Sequence, residues 1–154
     1  MSWLSGQELE EIIETYGNKS IKKAFLGVFA IDTLPKRIPF LPILLIINTQ
    51  TLNLPGQHWK AVYISEQKFG EVFDSLALPV SLRLQSWMNT FSRKWIRSPL
   101  TLQNPLSPTC GIYTLYYVLK RLDFPNMKSC MEIFSKDLVK NDSVMRKFYD
   151  LLKK

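Results

Sequence analysis

Cys110 stands where a proline-containing loop, residues 104–109, gives way to the run Gly111-Ile112-Tyr113-Thr114-Leu115. That run places Ile112, Leu115, Tyr116 and Leu119 on one helical face, so the cysteine heads a helix. A thiol at a helix N-terminus is stabilised as the thiolate by unpaired backbone N–H groups and the helix dipole, and the thiolate is the nucleophile. Gly111, with no side chain, lets a substrate backbone come close. A thiol nucleophile is completed by a base, and the chain has one histidine, His58, so a histidine base has to be that residue. A lone histidine is more often structural than catalytic, and what argues otherwise is its surroundings. Asp74 ends the strand after the one His58 opens, so a hairpin sets a carboxylate beside the imidazole to orient and charge it. Gln103, seven residues before Cys110, offers an amide that can donate, with the Cys110 backbone N–H, to a developing oxyanion. The second cysteine, Cys130, reads as a small buried apolar residue. Two cysteines and one histidine do not supply the usual four ligands of a zinc site, and no metal is expected.

The elements that must hold these groups follow from pattern. Ser5-Gly6-Gln7-Glu8 has capping-box spacing, Leu9, Ile12, Ile13 and Tyr16 share a face, and Gly17 suits the end, giving a helix over residues 6–16. Residues 25–31 read as a strand. Residues 43–48, apolar on both faces, read as a buried central strand. Residues 49–57 form a polar loop with Pro55 and Gly56. Residues 59–65 and 71–74 form a hairpin about the turn at 66–68. Val80, Leu84, Trp87, Met88 and Phe91 recur at helical spacing with Pro79 suited to the first position, and such a stripe is core rather than a binding surface. A short strand is expected near 100–103, and two short helices near 127–138 and 143–152. The order of elements specifies a single α+β domain over residues 1–154.

The order Gly56-Gln57-His58-Trp59, Phe73-Asp74-Ser75, then Gln103 through Cys110-Gly111 resembles the adenovirus proteases (adenain-like) and their wider clan, which includes the SUMO-specific proteases. Ala24-Phe25-Leu26-Gly27-Val28-Phe29 and Ile46-Ile47-Asn48-Thr49 are similar to strands of the adenovirus branch, and the resemblance spans about residues 5–122. It implies a mixed β-sheet packed against helices with the nucleophile at the head of a central helix. It also implies Cys110 as nucleophile, His58 as general base and acid, Asp74 as the orienting acid and Gln103 as the oxyanion donor. Trp59, Gly56 and Gly111 would line a narrow substrate cleft that admits glycine. Such proteases cut viral capsid or core precursors after small residues, often at Gly-Gly-type sites, and some are activated by a peptide or by DNA. The aspartate at position 74 is the SUMO-protease form, whereas the seven-residue step from Gln103 to Cys110 is the adenovirus form. A short protease of this kind suits a virus or a Maverick (Polinton) element, acting in the virion and the host nucleus or cytoplasm.

Composition bounds these readings. The chain has 154 residues, 46% of them hydrophobic and 12% aromatic, enough for one core and unlike a disordered chain. The longest apolar run, 43–47, is far short of the ~20 residues of a membrane span, and the acidic N-terminal segment is unlike a signal peptide. A protein that stays off membranes and is not secreted is expected. The net charge of +7 is spread along the chain as pairs such as Lys22-Lys23 and Lys120-Arg121, which suits DNA and a solvated basic surface about equally. Three functions therefore remain: a cysteine endopeptidase, a SUMO-type deconjugase, and an inactive basic scaffold that binds nucleic acid.

Overall fold

The computed structural model describes residues 4–49 and 58–154. Five strands form one mixed sheet in sequence order: β1 (Phe25–Ala30), β2 (Ile43–Asn48), β3 (Trp59–Ile64), β4 (Phe69–Phe73) and β5 (Lys94–Arg97). The outer pairs β1–β2 and β4–β5 are parallel, and the inner pairs β2–β3 and β3–β4 are antiparallel. The fold is thus α+β, as expected. The inner strand β2 sends Leu44 and Ile46 to one face and Ile43, Leu45 and Ile47 to the other, all fully buried. A strand apolar on both sides requires cover on both sides. Helices α1 (Gly6–Tyr16) and α4 (Cys110–Lys120) cover the first face, with α6 (Leu138–Leu152) packed on α4, and α3 (Leu82–Phe91) covers the second through Leu84, Trp87 and Met88. Between α1 and β1 lies a short α2 (Lys19–Ala24), and after α4 a short α5 (Met127–Cys130). Among the described residues no helix is long and apolar enough to cross a membrane.

The α1 capping box is present as expected, with Ser5 and Glu8 each bonding the other's backbone N–H. Gly17 ends α1 with an ordinary φ of −70°, so its value there is room: a Cβ would lie 2.6 Å from the Ile13 carbonyl oxygen. Helix α3 begins at Leu82 rather than at Pro79, because Ser81 accepts from the Leu84 N–H and so sets the start. The fifth strand is 94–97, not 100–103; it is a short edge strand, mostly exposed, so it carries little apolar signal. The segment 127–138 holds only one helical turn, and α6 begins five residues before position 143, capped by Asp137.

The two layers are locked beneath the sheet by charge. Glu71 of β4 receives both the Nε–H and an Nη2–H of Arg121, which follows α4, and the Tyr117 hydroxyl donates to the same carboxylate. The Arg121 guanidinium also lies 4.5 Å above the Tyr63 ring. Both charges are nearly fully buried. Removing one partner strands the other, at a cost of about 3–5 kcal/mol. Arg121→Met should therefore lower unfolding free energy in urea by about that amount, and adding Glu71→Gln should recover much of it; a loss under 1 kcal/mol in the single variant would show that the pair is not a lock.

Candidate active site

The site lies where the head of α4 meets the ends of β3 and β4. Helix α4 is buried from Cys110 to Leu119, as a helix running through the middle of a domain must be. The Thr114 hydroxyl contacts the Trp59 carbonyl at 3.3 Å, and the Tyr117 ring stacks on Phe73 at 4.7 Å. These contacts pin α4 to β3 and β4 and bring its first residue to His58.

The Cys110 thiol lies close enough to the His58 imidazole to help raise its pKa. On the other side, His58 Nε2 lies 2.5 Å from Asp74 Oδ1, which leaves Nδ1 as the ring nitrogen for the thiol. The β3–β4 register explains this approach. Ala61 pairs with Phe73, so one step further Asp74 stands opposite Lys60 and diagonal to His58. Lys60 Nζ lies 3.3 Å from Asp74 Oδ2. The backbone N–H groups of Leu76 and Leu78 donate to the same carboxylate at 2.8 and 3.0 Å. They point inward because the chain turns tightly after Asp74, with Ala77 in the left-handed region at φ 50° and its N–H donating to the Asp74 carbonyl. Arg97 holds the turn from outside by donating to the Ala77 and Leu78 carbonyls, and Ser98 brackets the Asp74 backbone at 2.8 and 3.0 Å.

Burial alone would lower the His58 pKa. The hydrogen bonds and charges of Asp74 and Cys110 outweigh burial and raise it to about 9, so the ring is an imidazolium at neutral pH. Burial alone would raise the Asp74 pKa. His58, Lys60 and the Leu76 N–H outweigh it and hold the carboxyl below its ordinary value.

Gln103 is 2% exposed, and both ends of its amide are fixed. Its Oε1 accepts from the Ser75 hydroxyl at 2.6 Å, and its Nε2 donates to the Ser107 carbonyl at 2.7 Å. That assignment leaves a second Nε2–H uncommitted by these contacts. Thus Asp74 and Ser75, adjacent in sequence, serve His58 and Gln103 respectively. The loop from 102 to 109 is held from behind by α6. The Asn141 amide donates to the Leu102 carbonyl at 3.0 Å. Asp142 Oδ1 accepts from Tyr113, Thr109 and the Asn104 N–H at 2.7, 3.3 and 3.4 Å. Thr109, the residue before α4, is drawn aside and makes no side-chain cap.

Of the remaining expected residues, Gly111 is buried in the first turn of α4. Trp59, expected at the substrate, is 7% exposed: its indole N–H donates to the Leu4 carbonyl at 3.0 Å, and the ring packs in the core beside Gly6. Gly56 lies outside the described residues. Cys130 is buried and its pKa is pushed up to about 12, chiefly by burial, which suits an inert thiol. Sequence reasoning missed Lys60, Ser75, Ser98 and Asp142. Lys60 alone carried a signal, as a lysine inside an otherwise apolar strand.

His58 is the sole histidine, so a single imidazole titrates in solution. Its NMR midpoint should fall near pH 9 and should drop in Asp74→Asn; a wild-type midpoint at or below 6.5 would mean that no imidazolium is held at neutral pH.

No protein-family model matches the sequence, and no curated protein matches it either. Among solved structures, the chain is similar to a crystal structure of the ASFV pS273R protease, with a TM-score of 0.68 at 15% identity over 92% of this chain and 64% of that one. A selenomethionine crystal structure of the same protease matches with a TM-score of 0.51 at 19% identity, over 64% of this chain and 41% of the other. The chain thus spans under two thirds of that protease's length, and at these identities what the two share is the fold, an α+β domain with its mixed sheet packed against helices.

Proposed function

We propose that the chain is a cysteine endopeptidase of the adenain and SUMO-protease clan. The observation that carries this reading is the His58–Asp74 contact, with Cys110 near the imidazole at the head of a helix. An imidazolium beside a thiol in that position favours the thiolate. In the reaction the Cys110 thiolate attacks a peptide carbonyl, forming the C–S bond and an oxyanion. The Cys110 backbone N–H and the second Nε2–H of Gln103 are the donors assigned to that oxyanion. As the C–N bond breaks, His58 gives its proton to the leaving amine. His58 then takes a proton from water, which attacks the thioester and frees Cys110. Lying outside this relay, Trp59 braces the N-terminal segment, and its service as a cleft wall rests on the resemblance, as do those of Gly56 and Gly111.

The structural neighbour named as a viral protease favours protein substrates. A viral capsid or core precursor cut at a Gly-Gly-type site, in a virus or a Maverick element, is the substrate class this reading takes. A SUMO-type modifier also ends in Gly-Gly, and Asp74 is the carboxylate of that branch, so removal of such a modifier is the second reading. The +7 charge keeps DNA as a candidate activator alongside a viral peptide.

Cys110→Ala should abolish cleavage of a Gly-Gly peptide while Cys130→Ala leaves it intact, and iodoacetamide should label Cys110 below neutral pH and spare Cys130. An unchanged rate in Cys110→Ala ends the proposal. Turnover confined to a SUMO–fluorophore conjugate assigns the second reading. If DNA binds in a salt-sensitive way and Cys110 is inert with and without it, the protein is a binding scaffold. The activity should be bell-shaped in pH: because His58 is already charged at neutrality, the acid limb belongs to the thiol, and the alkaline limb near pH 9 to loss of the His58 proton.

Gln103→Ala should lower kcat by roughly 10²-fold, the usual cost of one oxyanion donor, with Cys110 alkylation unchanged. Loss of alkylation as well would make Gln103 a support of the loop instead.

A further inference from the structure

Lys60 is a buried cation that no step of the proposed reaction uses. It is 4% exposed, points to the α3 side of the sheet, and meets Asp74 Oδ2 while His58 meets Oδ1. A buried ammonium is expensive unless paired, and a methionine or leucine would fill the same space without that cost. We infer that Lys60 is a positioning residue for the catalytic pair, holding the Asp74 carboxylate in plane with the imidazole and weakening its pull on the His58 proton. This rests on the protease reading.

The physical need is specific. An imidazolium held by a buried carboxylate whose other partners are the neutral Leu76 and Leu78 N–H groups would keep its proton too tightly to pass it readily to a leaving amine. A second cation on the far oxygen offsets part of that charge, so the proton is held and yet transferable. The ionisable groups around the pair are few. His58 meets Asp74 and, from α4, Cys110; Asp74 meets His58 and Lys60. Strand β2, beside β3, has no ionisable residue, and α3 turns Leu84, Trp87 and Met88 inward with Arg83 exposed. Arg97 of β5 reaches only the outer carbonyls of the 77–78 turn. Besides the His58 imidazolium, Lys60 is therefore the cation in contact with the carboxylate itself among the described residues.

The test compares Lys60→Met, Lys60→Gln and Lys60→Arg. Gln keeps a donor without charge, and serves if Met does not fold. Arg keeps the charge, and a cavity of about 150 Å³ lined by Lys60, Ile31, Ile47 and Thr49 gives it room. The first readout is the His58 NMR titration, which needs no activity. The neutral variants should raise its midpoint by roughly one unit, the effect of losing a nearby like charge, and Arg should restore the wild-type value. The second is peptide turnover, where the neutral variants should lose kcat several-fold with KM and Cys110 alkylation little changed, and Arg should recover it. An unshifted midpoint in folded Gln and Met variants overturns the inference. So does a loss of turnover that Arg shares. A shifted midpoint in a protein whose wild type cuts no peptide upholds the charge effect and sinks the protease reading instead.

Discussion

The Asp74 carboxylate is the constraint around which the site is built. It is 2% exposed, and a buried anion must be met from every side. Two neighbours in the sheet, His58 and Lys60, come from β3 by register. Two backbone N–H groups come from a turn that accepts an unfavourable φ at Ala77 to deliver them. Arg97 and Ser98 hold the turn and the backbone of Asp74 in turn. The edge strand β5 thus matters less for its own pairing than for what it fastens. Moving Asp74 by one residue in register would lose His58 and Lys60 together.

The same economy appears one residue on. Ser75 fixes the Gln103 amide, and its carbonyl receives the Leu102 and Gln103 N–H groups at 2.8 and 3.1 Å. Because Asp74 and Ser75 are consecutive, the end of β4 sets the distance between the imidazole and the amide. Packing of α4 on β3 and β4 then sets the thiol near the imidazole. Three chain segments far apart in sequence are brought to one point by a hairpin, a helix seated on it and a pair of adjacent side chains.

The sequence made the main lines of this legible. Cys110 at a helix start, Asp74 at a strand end and the hairpin that joins it to His58 are local signals, and the structure contains all of them. The strand β2 was readable because both its faces are apolar. What was hidden depends on tertiary pairing. Nothing near Lys60 names its partner. The start of α3 turned on whether Ser81 or Pro79 governs, and a hydroxyl that accepts a hydrogen bond prevailed over a ring suited to the first position. The edge strand was obscured by its own exposure, since Lys94 and Arg97 face water. The role of the 102–109 loop could not be seen from within it, because its anchors lie some forty residues later in the chain.

That last arrangement bears on how the protein is made. Asn141 and Asp142 hold the carbonyl before Gln103, the N–H after it and the hydroxyl before Cys110. During synthesis the strands and α4 leave the ribosome before α6, and a domain generally folds as a unit. Until residue 142 has emerged, the stretch that carries the thiol and the amide lacks these anchors. A chain that ends before α6 thus holds the thiol, the imidazole and the amide but not the contacts that fix the 102–109 loop, and these arrive only with the docking of α6.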